Sequence, residues 1–464
     1  MYLNRNLPVF LAGLLILISL TAGCGDTQSG NTNTANTPEA FNHPDWSYNA
    51  TIYELNTRQF TQEGTFEAAQ QKLDELKELG IKIIWVMPIQ PIGEKNRKGE
   101  LGSYYSIKDY KAVNPEFGTM EDFKSFVDAA HQRDMYVILD WVANHTAWDH
   151  HWTKEHPEYY NKDEDGNFQP PVEDWTDVID LDYENEQLRE DMRSSMKYWV
   201  QEADIDGFRC DVASMVPTDF WSKTREELDQ IKPVFMLAEA EKPEHHEEAF
   251  DMSYGWSTHH MMNEIAAGNK EAYHMDSLLR VNRARFPDHA FRMQFTSNHD
   301  ENSWNGTVFE RMGDGAKTFA VLSATMEGMP LVYNGQETGL DKRLEFFQRD
   351  PINWKEDSEF RDFYTKLLHL KRDNEALLNG TRGAPMDKIS VKDTTNIYAF
   401  HRSGDEDKVL VFLNMSDKDL MVHANDDDLA GQYTRLFTDE EVSLTTEDRL
   451  NMKAWEYRVY VASN

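Results

Sequence analysis

Short apolar segments alternate with amphipathic helical segments along most of this chain, and that alternation limits the possible folds more than any other feature. One unit shows the pattern clearly. A helix with an apolar face at Phe66, Leu73 and Leu79 stops at Gly80, and a near-continuous apolar strand over 81–86 follows at once. Apolar runs of this kind are typical of strands that are covered on both faces.

The strand–helix unit recurs, and the sequence predicts eight strands in order. The predicted strands cover 51–55, 81–86, 136–140, 207–211, 234–239, 251–254, 292–296 and 330–334. The predicted helices between and after them include 120–133, 186–203, 218–230, 314–327 and 359–371. This count favours a closed (β/α)8 TIM barrel over an open doubly wound sheet. A nucleotide-binding fold is disfavoured, because no Gly-rich phosphate loop follows any of the strands.

Two further segments are organised around the predicted barrel, which we place at 44–380. Residues 145–184, after the third strand, are too long and too aromatic for an ordinary loop and predict an inserted subdomain. After about residue 380 the helical pattern stops, and alternating segments over 381–464 predict an all-β sandwich domain.

The amino-terminal segment is typical of a bacterial secretion signal over 1–23. An apolar run from Leu7 to Leu20 leads into Leu20-Thr-Ala-Gly-Cys24, which is similar to a lipobox whose cysteine becomes lipidated. An ordinary cleaved signal and a membrane anchor helix are the alternatives, although the apolar run is short for a span of about 20 residues. Residues 24–43 are polar and predict a flexible tether. We therefore expect an exported protein whose only membrane contact is a lipid on Cys24, on the periplasmic or cell-surface side.

Composition excludes several kinds of partner. The 464 residues include 82 acidic and 47 basic side chains, giving a net charge of −35. Such a charge opposes binding to nucleic acid or to anionic lipid, and favours a neutral ligand. Cys24 and Cys210 are the only cysteines, so lipidation of Cys24 leaves no internal disulfide. We expect a monomer.

A pair of charged side chains stands at the end of the fourth predicted strand. Because successive side chains in a strand point to opposite faces, Arg209 and Asp211 share one face while Phe208 and Cys210 take the other. The carboxyl end of a barrel strand is where such enzymes carry their chemistry, and an Asp beside an Arg is expected to stay ionised. Asp211 is therefore a candidate nucleophile or electrostatic stabiliser, with a purely structural ion pair as the alternative.

Two more acids follow predicted strands: Glu239 after the fifth and Asp300 after the seventh. Adjacent strands lie about 4.8 Å apart. The carboxyl pair of a retaining glycosidase is roughly 5–5.5 Å apart, whereas an inverting pair leaves room for a water. The positions of Asp211 and Glu239 therefore favour retention. Glu239, near two other carboxylates and behind an apolar run, is expected to have a raised pKa and to begin the cycle protonated.

Four motifs occur in a diagnostic order. They are Asp140-Trp-Val-Ala-Asn144-His145, Gly207-Phe-Arg209-Cys-Asp211, Glu239 after Phe235-Met-Leu-Ala, and Asn298-His299-Asp300. Shorter motifs agree with them: Gly102-Ser-Tyr-Tyr105-Ser-Ile-Lys-Asp109-Tyr110, Asp180-Leu-Asp182, and Gly328-Met-Pro330 running to Gly335-Gln-Glu337. From Tyr48 to the carboxyl terminus the sequence thus resembles the α-amylase superfamily, glycoside hydrolase family thirteen.

The resemblance implies a retaining mechanism on α-glucosidic bonds, with Asp211 as nucleophile, Glu239 as general acid/base and Asp300 as stabiliser of the sugar in the transition state. It implies substrate binding by a second set of residues, namely Tyr105, Asp109, His145, Arg209 and His299. It also implies a structural calcium held by Asn144, Asp180 and the backbone carbonyl of Met215, since oxygen ligands suit calcium.

The leading hypothesis is a membrane-tethered hydrolase that cleaves α-1,4-glucosidic bonds in starch-type polysaccharides and maltooligosaccharides through a covalent glycosyl-Asp intermediate. A glucanotransferase or an α-glucosidase of the same superfamily is the alternative within enzymes, because the intermediate can pass to a sugar hydroxyl. A non-catalytic starch-capture lipoprotein is the alternative from another class. The joint presence of Asp211, Glu239 and Asp300 argues against it.

The sequence departs from many α-amylases at one place. Those enzymes carry Lys-His three and four positions after the nucleophile, on the leaving-group side of the cleft, where this chain has Ser214 and Met215. A Ser hydroxyl and a Met thioether offer far fewer donors than an ammonium and an imidazole. We therefore predict that glucan chains are held mainly on the nonreducing side of the cut, and that short maltooligosaccharides are usable substrates.

Overall fold

The computed structural model of the chain describes residues 41–355 and 357–462. The predicted signal peptide, Cys24 and most of the predicted tether lie outside the described residues. Within the described ranges, no helix combines the length and the apolar character that a bilayer span requires.

Eight parallel strands close into a barrel, which confirms the predicted fold class. Barrel strands one to eight, in chain order, are Ile52–Leu55, Ile83–Val86, Tyr136–Trp141, Gly207–Cys210, Phe235–Ala238, Met252–Tyr254, Phe291–Gln294 and Met329–Tyr333. Each strand pairs with the next one along the chain, and strand eight closes the ring by pairing with strand one, where Ile52 lies opposite Leu331.

Helices connect and surround the strands. The described α-helices are Thr57–Phe60, Phe66–Gln70, Leu73–Leu79, Met120–His131, Trp152–Glu155, Glu186–Ala203, Thr218–Asp229, His245–Glu248, Trp256–Ala266, His274–Arg285, Val308–Met312, Ala316–Thr325 and Glu359–Asp373. The helix predicted over 186–203 has the predicted bounds. The first predicted helix is divided into two, with a break at Gln71 and Lys72, and its second half ends at Gly80 in the left-handed conformation, as expected for a helix stop.

Alternation along the barrel strands separates two cores. Outward side chains such as Tyr53 and Leu139 join the large core under the helices. Inward side chains such as Ile52, Ile138 and Phe235 fill the barrel interior. The apolar filling therefore occupies the amino-terminal part of the barrel, and the inward positions nearer the carboxyl end are free for other residue types.

The first described residues cover the amino-terminal end of the barrel. Phe41 stacks on His289 at 5.4 Å, and His43 stacks at 4.2 Å on Phe291, the first residue of strand seven. Trp46 stacks at 3.9 Å on Tyr136, the first residue of strand three. The polypeptide therefore enters the folded body at the end of the barrel where the strands begin.

The segment after strand three forms a small structure of its own. His145–Ala147 and Val178–Asp180 pair as two short antiparallel strands, and the helix Trp152–Glu155 lies between them in the sequence. This ribbon lies directly beyond the carboxyl end of strand three, so the inserted segment adds a wall to the mouth of the barrel.

The carboxyl-terminal region is all-β, as predicted. Its strands are Met386–Lys388, Ile397–Ser403, Lys408–Asn414, Leu420–Asn425, Gly431–Arg435, Glu441–Leu444, Glu447–Met452 and Tyr457–Ala462. Six of them form one antiparallel sheet, and the fourth and seventh form a second. Leu410 and Phe412 from the larger sheet share a core with Val422 and Leu450 from the smaller one. The larger sheet also packs on the barrel, where Phe437 stacks on Phe363 at 5.3 Å.

Candidate active site

Charged side chains replace apolar ones at the inward positions near the carboxyl end of the barrel. Glu54 on strand one, Asp140 on strand three and Arg209 on strand four are each fully buried. In strands one and three, the residue two positions before the charged one is an isoleucine that points into the barrel. Because every second side chain of a strand lies on the same face, Glu54 and Asp140 also point inward. Buried charges are costly unless they are paired, and these residues do contact charged partners.

Arg209 is the hub of this cluster. Its Nη1 donates to Asp140 Oδ1 at 2.8 Å and to Asp211 Oδ1 at 3.0 Å. Its Nη2 lies 2.8 Å from Glu239 Oε2, and its Nε donates to the Tyr254 hydroxyl at 3.2 Å. One guanidinium thus contacts three carboxylates, and the expected shared face of Arg209 and Asp211 is confirmed.

Strands four and five bring Asp211 and Glu239 side by side. The last paired residues of these strands are Cys210 and Ala238, and the backbone N–H of Glu239 donates to the Cys210 carbonyl at 3.0 Å. The two acids therefore start from adjacent positions on strands about 4.8 Å apart, close to the spacing of roughly 5–5.5 Å that a retaining pair needs.

The residue after Asp211 adopts a backbone conformation that sequence reasoning did not predict. Val212 has a φ of +35°, a rare value for a β-branched residue. In this conformation its N–H donates to Glu239 Oε2 at 2.7 Å. The turn fixes the Glu239 carboxyl relative to Asp211, and strained backbone of this kind is concentrated at functional sites.

Burial governs the protonation of the two acids. Burial raises the pKa of Asp211 well above its usual range, although Arg209 lowers it; Glu239, Asp140 and Asp300 raise it further. Arg209 lowers the pKa of Asp211, as expected, but its effect is smaller than that of burial. Burial also raises the pKa of Glu239, as expected, with Arg209 opposing and Asp300 adding to the shift. Burial therefore disfavours the ionised form of both carboxyls, and Arg209 favours it.

His299 links the remaining members of the site. Its Nε2 lies 2.8 Å from the Tyr105 hydroxyl and 3.4 Å from Asp300 Oδ2, and its Nδ1 bonds to Glu54. The Tyr105 ring stacks on the imidazole at 5.4 Å, and its hydroxyl donates to Asp140 Oδ2 at 3.1 Å. Burial alone lowers the pKa of His299, but Asp300 and Glu54 together raise it to about 9. His299 is therefore a cation at neutral pH.

His145 contributes a neutral imidazole from the inserted segment. It is 3% exposed, and its ring lies 5.5 Å from Trp175 in an edge-on arrangement. Burial lowers its pKa to about 3, against the opposing effect of a hydrogen bond to the Tyr105 backbone. A neutral imidazole can donate and accept hydrogen bonds, which suits sugar hydroxyls.

Comparison with known families agrees with this geometry. A model of the α-amylase catalytic domain matches residues 31–176 and 172–377. The chain belongs to the α-amylase family. It is accordingly a glycoside hydrolase, and the acids that the barrel brings together are those that the resemblance assigns to catalysis.

Two solved structures of the α-amylase family share the fold closely. A noncanonic maltogenic α-amylase, AmyB, from Thermotoga neapolitana superposes with a TM-score of 0.82 at 30% identity, covering 90% of this chain and 99% of that one. An α-amylase from Lactobacillus plantarum gives 0.81 at 30% identity, covering 90% and 100%. The α-amylase MalA of Haloarcula japonica is 26% identical over 88% of this chain, which spans 62% of the length of that protein. Cyclomaltodextrinases and a maltosyltransferase are also among the relatives.

One residue that the α-amylase resemblance assigns to substrate binding lies apart from the cluster. Asp109 follows strand two and accepts a hydrogen bond from the Lys111 backbone at 2.9 Å. It lines a surface groove together with Lys108, Asp149 and His151, and no catalytic acid lines that groove. Substrate binding by Asp109 stays a prediction.

The calcium ligands that the resemblance implies are only partly brought together. Asn144 Nδ2 lies 3.5 Å from Asp180 Oδ1, and Asn161 Nδ2 donates to Asp180 Oδ2 at 2.7 Å. Two amide donors thus already satisfy the carboxylate, and no cluster of three or more His, Cys, Asp or Glu side chains suited to a metal occurs in the described ranges. Met215, whose carbonyl completes the predicted set, makes no hydrogen bond with either residue in the described part of the chain. The residues as they stand do not fit a calcium ion, and the calcium that the resemblance implies is left to experiment.

The two residues predicted to lie on the leaving-group side are accessible to solvent. Ser214 and Met215 are both exposed, with Met215 43% accessible. Lys242, from the loop after strand five, donates to the Ser214 carbonyl at 3.1 Å. A lysine thus stands beside the position where many α-amylases carry one, but its ammonium is engaged with the backbone.

Proposed function

We propose that this enzyme hydrolyses α-1,4-glucosidic bonds in starch-type polysaccharides and maltooligosaccharides with retention of configuration. The observation that carries the proposal is the register of strands four and five, which end just before Asp211 and Glu239 and give both carboxylates contact with Arg209. Asp300 faces the same cluster through His299. The family relationship supplies the class of bond, and the relatives named as α-amylases supply the substrate class.

The proposed reaction has two steps. In the first, Glu239 gives its proton to the glycosidic oxygen while ionised Asp211 attacks the anomeric carbon, so that the carbon–oxygen bond breaks and a glycosyl ester forms. In the second, Glu239 takes a proton from water as the water attacks the same carbon and the ester bond breaks. In this proposal Asp300 stabilises the sugar in the transition state, His299 binds its hydroxyls and Tyr105 stacks under its ring.

Proton NMR of the first-formed product tests the stereochemistry. Maltoheptaose should give a product whose new reducing end is initially the α anomer. Asp211→Asn and Glu239→Gln should each lower turnover by several orders of magnitude without changing thermal unfolding, because each removes a group that the covalent or proton-transfer step needs. An initial β product, or near-parental activity in either variant, would contradict the proposal.

Transfer to a sugar acceptor is the alternative outcome of the same experiment. The relatives include a maltosyltransferase, and the same glycosyl ester can be captured by a hydroxyl in place of water. Products longer than maltoheptaose, formed before any net rise in reducing ends, would assign the enzyme to the transferases. A starch-capture protein without catalysis would form neither kind of product.

We further propose export and lipid anchoring through Cys24, on the basis of the amino-terminal sequence alone. Cys24→Ser should abolish incorporation of labelled fatty acid and release the protein from the membrane fraction. Unchanged fractionation of the variant would remove this proposal and leave the catalytic one standing.

A further inference from the structure

A large aromatic side chain is exposed beside the catalytic cluster. Trp304 is 52% exposed and lies in the π-helical turn Glu301–Asn305, which follows Asp300 directly. Burying an indole normally stabilises a protein, so an indole left half in solvent at a functional site needs a reason. Single π-helical turns are themselves frequent at functional sites.

Trp304 continues a row of rings that begins inside the site. Its ring lies 5.1 Å from Phe346 and 5.8 Å from Phe347, both half-buried. Phe346 in turn stacks on Tyr105, with centroids 6.2 Å apart and planes 16° from parallel. We call Trp304, Phe346 and Phe347 the aromatic platform. It extends the face of Tyr105 outward from the reacting sugar.

Hydrogen bonds hold the loop of the platform in place. The Gln59 side chain donates to the carbonyls of Glu345 and Gln348, both at 2.8 Å, on either side of the two phenylalanines. The Phe347 carbonyl accepts from the backbone N–H of Leu101 at 2.9 Å. The loop is therefore ordered before any ligand arrives, which lowers the entropic cost of binding.

The turn that carries Trp304 is tied to the same loop. Asn302 accepts from the Leu344 backbone N–H at 2.8 Å, and the Ser303 hydroxyl donates to the Leu344 carbonyl at 3.0 Å. Loops from strands seven and eight thus present their rings as one surface. The Trp304 indole N–H makes no hydrogen bond within the described ranges, so it is available to a ligand.

The order of strands around the barrel places the platform relative to the cut. Its rings follow strands seven and eight, and in a closed ring of eight these stand opposite strands three and four. Ser214, on the predicted leaving-group side, follows strand four, and Glu239 follows the adjacent strand five. Because the general acid protonates the oxygen of the leaving group, the leaving group departs on the Glu239 side. The platform therefore lies on the nonreducing side of the reacting sugar.

We propose that the aromatic platform binds the nonreducing part of an α-glucan chain, one or more sugars beyond the one that reacts. The inference rests on the proposed function and adds the residues that hold the chain. A sugar ring offers an apolar face of C–H groups to an aromatic plane and hydroxyls to the indole N–H. A neutral ligand of this kind also suits a protein of net charge −35.

Substrates of two lengths test the platform. Maltotriose has few sugars to place on the nonreducing side, whereas maltoheptaose can cover the platform. The Trp304→Ala substitution should lower kcat/KM for both substrates, and the loss should be about tenfold larger for maltoheptaose than for maltotriose. The larger loss should come mainly from an increase in KM. Trp304→Phe should restore most of the difference, because a planar ring is the group required. Tyr273→Ala, which removes a 42% exposed ring remote from the cleft, is the matched control.

Each result decides between the platform and a simple packing role. An equal loss of kcat/KM on both substrates, or no loss on maltoheptaose, would overturn the inference. The proposed function would still stand, because the parent enzyme would in that case hydrolyse both substrates. If the parent hydrolyses no α-glucan, the proposed function fails, and calorimetry with maltoheptaose then tests the platform by itself. In that assay Trp304→Ala should bind about tenfold more weakly than the parent. Equal binding by the two proteins would overturn the inference.

Discussion

The Glu54 carboxylate accepts a hydrogen bond from Nδ1 of His299 at the centre of the barrel, so the imidazole is held between that carboxylate and the Asp300 side chain. Glu54 is fully buried, and its second oxygen has no hydrogen-bond partner in the described structure. Its side-chain hydrogen bonds in the described part of the chain are to His299. It acts through His299, as a positioning residue.

Glu54→Gln is expected to move the alkaline limb of the pH–rate profile to lower pH. His299 has a raised pKa of about 9, to which Glu54 contributes. Removing the Glu54 charge should lower the pKa of His299 by about one unit or more. The imidazolium would then lose its proton at a lower pH. Arg209 and Tyr105 also face the imidazole, and both stay in place. The measurement is kcat/KM for maltoheptaose between pH 5 and 10.

Glu337→Gln is the matched control for this test, because it removes a buried carboxyl that accepts hydrogen bonds from Tyr53 and Gly335, outside the cleft. Its alkaline limb should coincide with that of the parent. Glu54→Asp should recover part of the parental profile. Coincident profiles for Glu54→Gln and the parent would show that Glu54 does not set the charge on His299.

Glu337 itself is expected to make stability depend on pH. Tyr53 donates to its Oε1 at 2.5 Å, and burial raises its pKa from 4.5 to about 7. Between these two values the folded protein keeps a proton that the unfolded chain has lost. Stability therefore falls as pH rises through this window, by about 3 kcal/mol for this group.

Thermal unfolding at pH 4.5 and pH 7.5 measures this effect. The decrease in unfolding temperature between the two pH values should be smaller in Glu337→Gln than in the parent. Glu63→Gln, which changes an exposed carboxylate, should keep the parental decrease. If the unfolding temperature decreases by the same amount in all three proteins, the proton on Glu337 does not cause the pH dependence of stability.

Restoring Lys at 214 and His at 215 should strengthen binding on the leaving-group side. Ser214 and Met215 are exposed there, and charged donors to sugar hydroxyls contribute about 1.5–3 kcal/mol each. The double variant Ser214→Lys, Met215→His should therefore shift cleavage of end-labelled maltoheptaose towards longer leaving groups. Chromatography of the labelled products gives the pattern. An unchanged pattern would contradict the predicted weakness of this side.

Chelation is expected to have little effect on this enzyme. Asn161 and Asn144 present amide nitrogens to Asp180, and these donors satisfy the carboxylate to which a calcium would bind. Unfolding temperature and initial rate should therefore be the same with EDTA and with added calcium. In the Asn161→Asp variant, the new carboxylate should repel Asp180. Added calcium should then raise the unfolding temperature of the variant, because the cation neutralises the pair of carboxylates. A drop in the parent's unfolding temperature with EDTA, reversed by calcium, would instead establish the calcium site that the resemblance implies.

The fold could be predicted from the sequence because its signals are local. Apolar strands and helical periods each depend on a few neighbouring residues, and strand closure follows from their number. The neighbouring positions of Asp211 and Glu239 were predictable for the same reason, since consecutive parallel strands lie side by side.

The electrostatics and the platform could not be predicted in this way. The pKa of Asp211 is raised mainly by burial and further by Glu239, Asp140 and Asp300, which only the closed barrel brings around it. Glu54 could have been noticed in the sequence, because it is a charged residue at an inward position of an otherwise apolar strand. Trp304 and Phe346 lie in separate loops without periodicity, and nothing in the sequence indicates that they meet.

The first described residues lie at the end of the barrel opposite the catalytic acids. Phe41 and His43 join the barrel where its strands begin, whereas Asp211 and Glu239 stand where the strands end. Residues 41–43 therefore close one end of the barrel and leave the other to the loops that carry the site, so the two ends can vary independently in sequence.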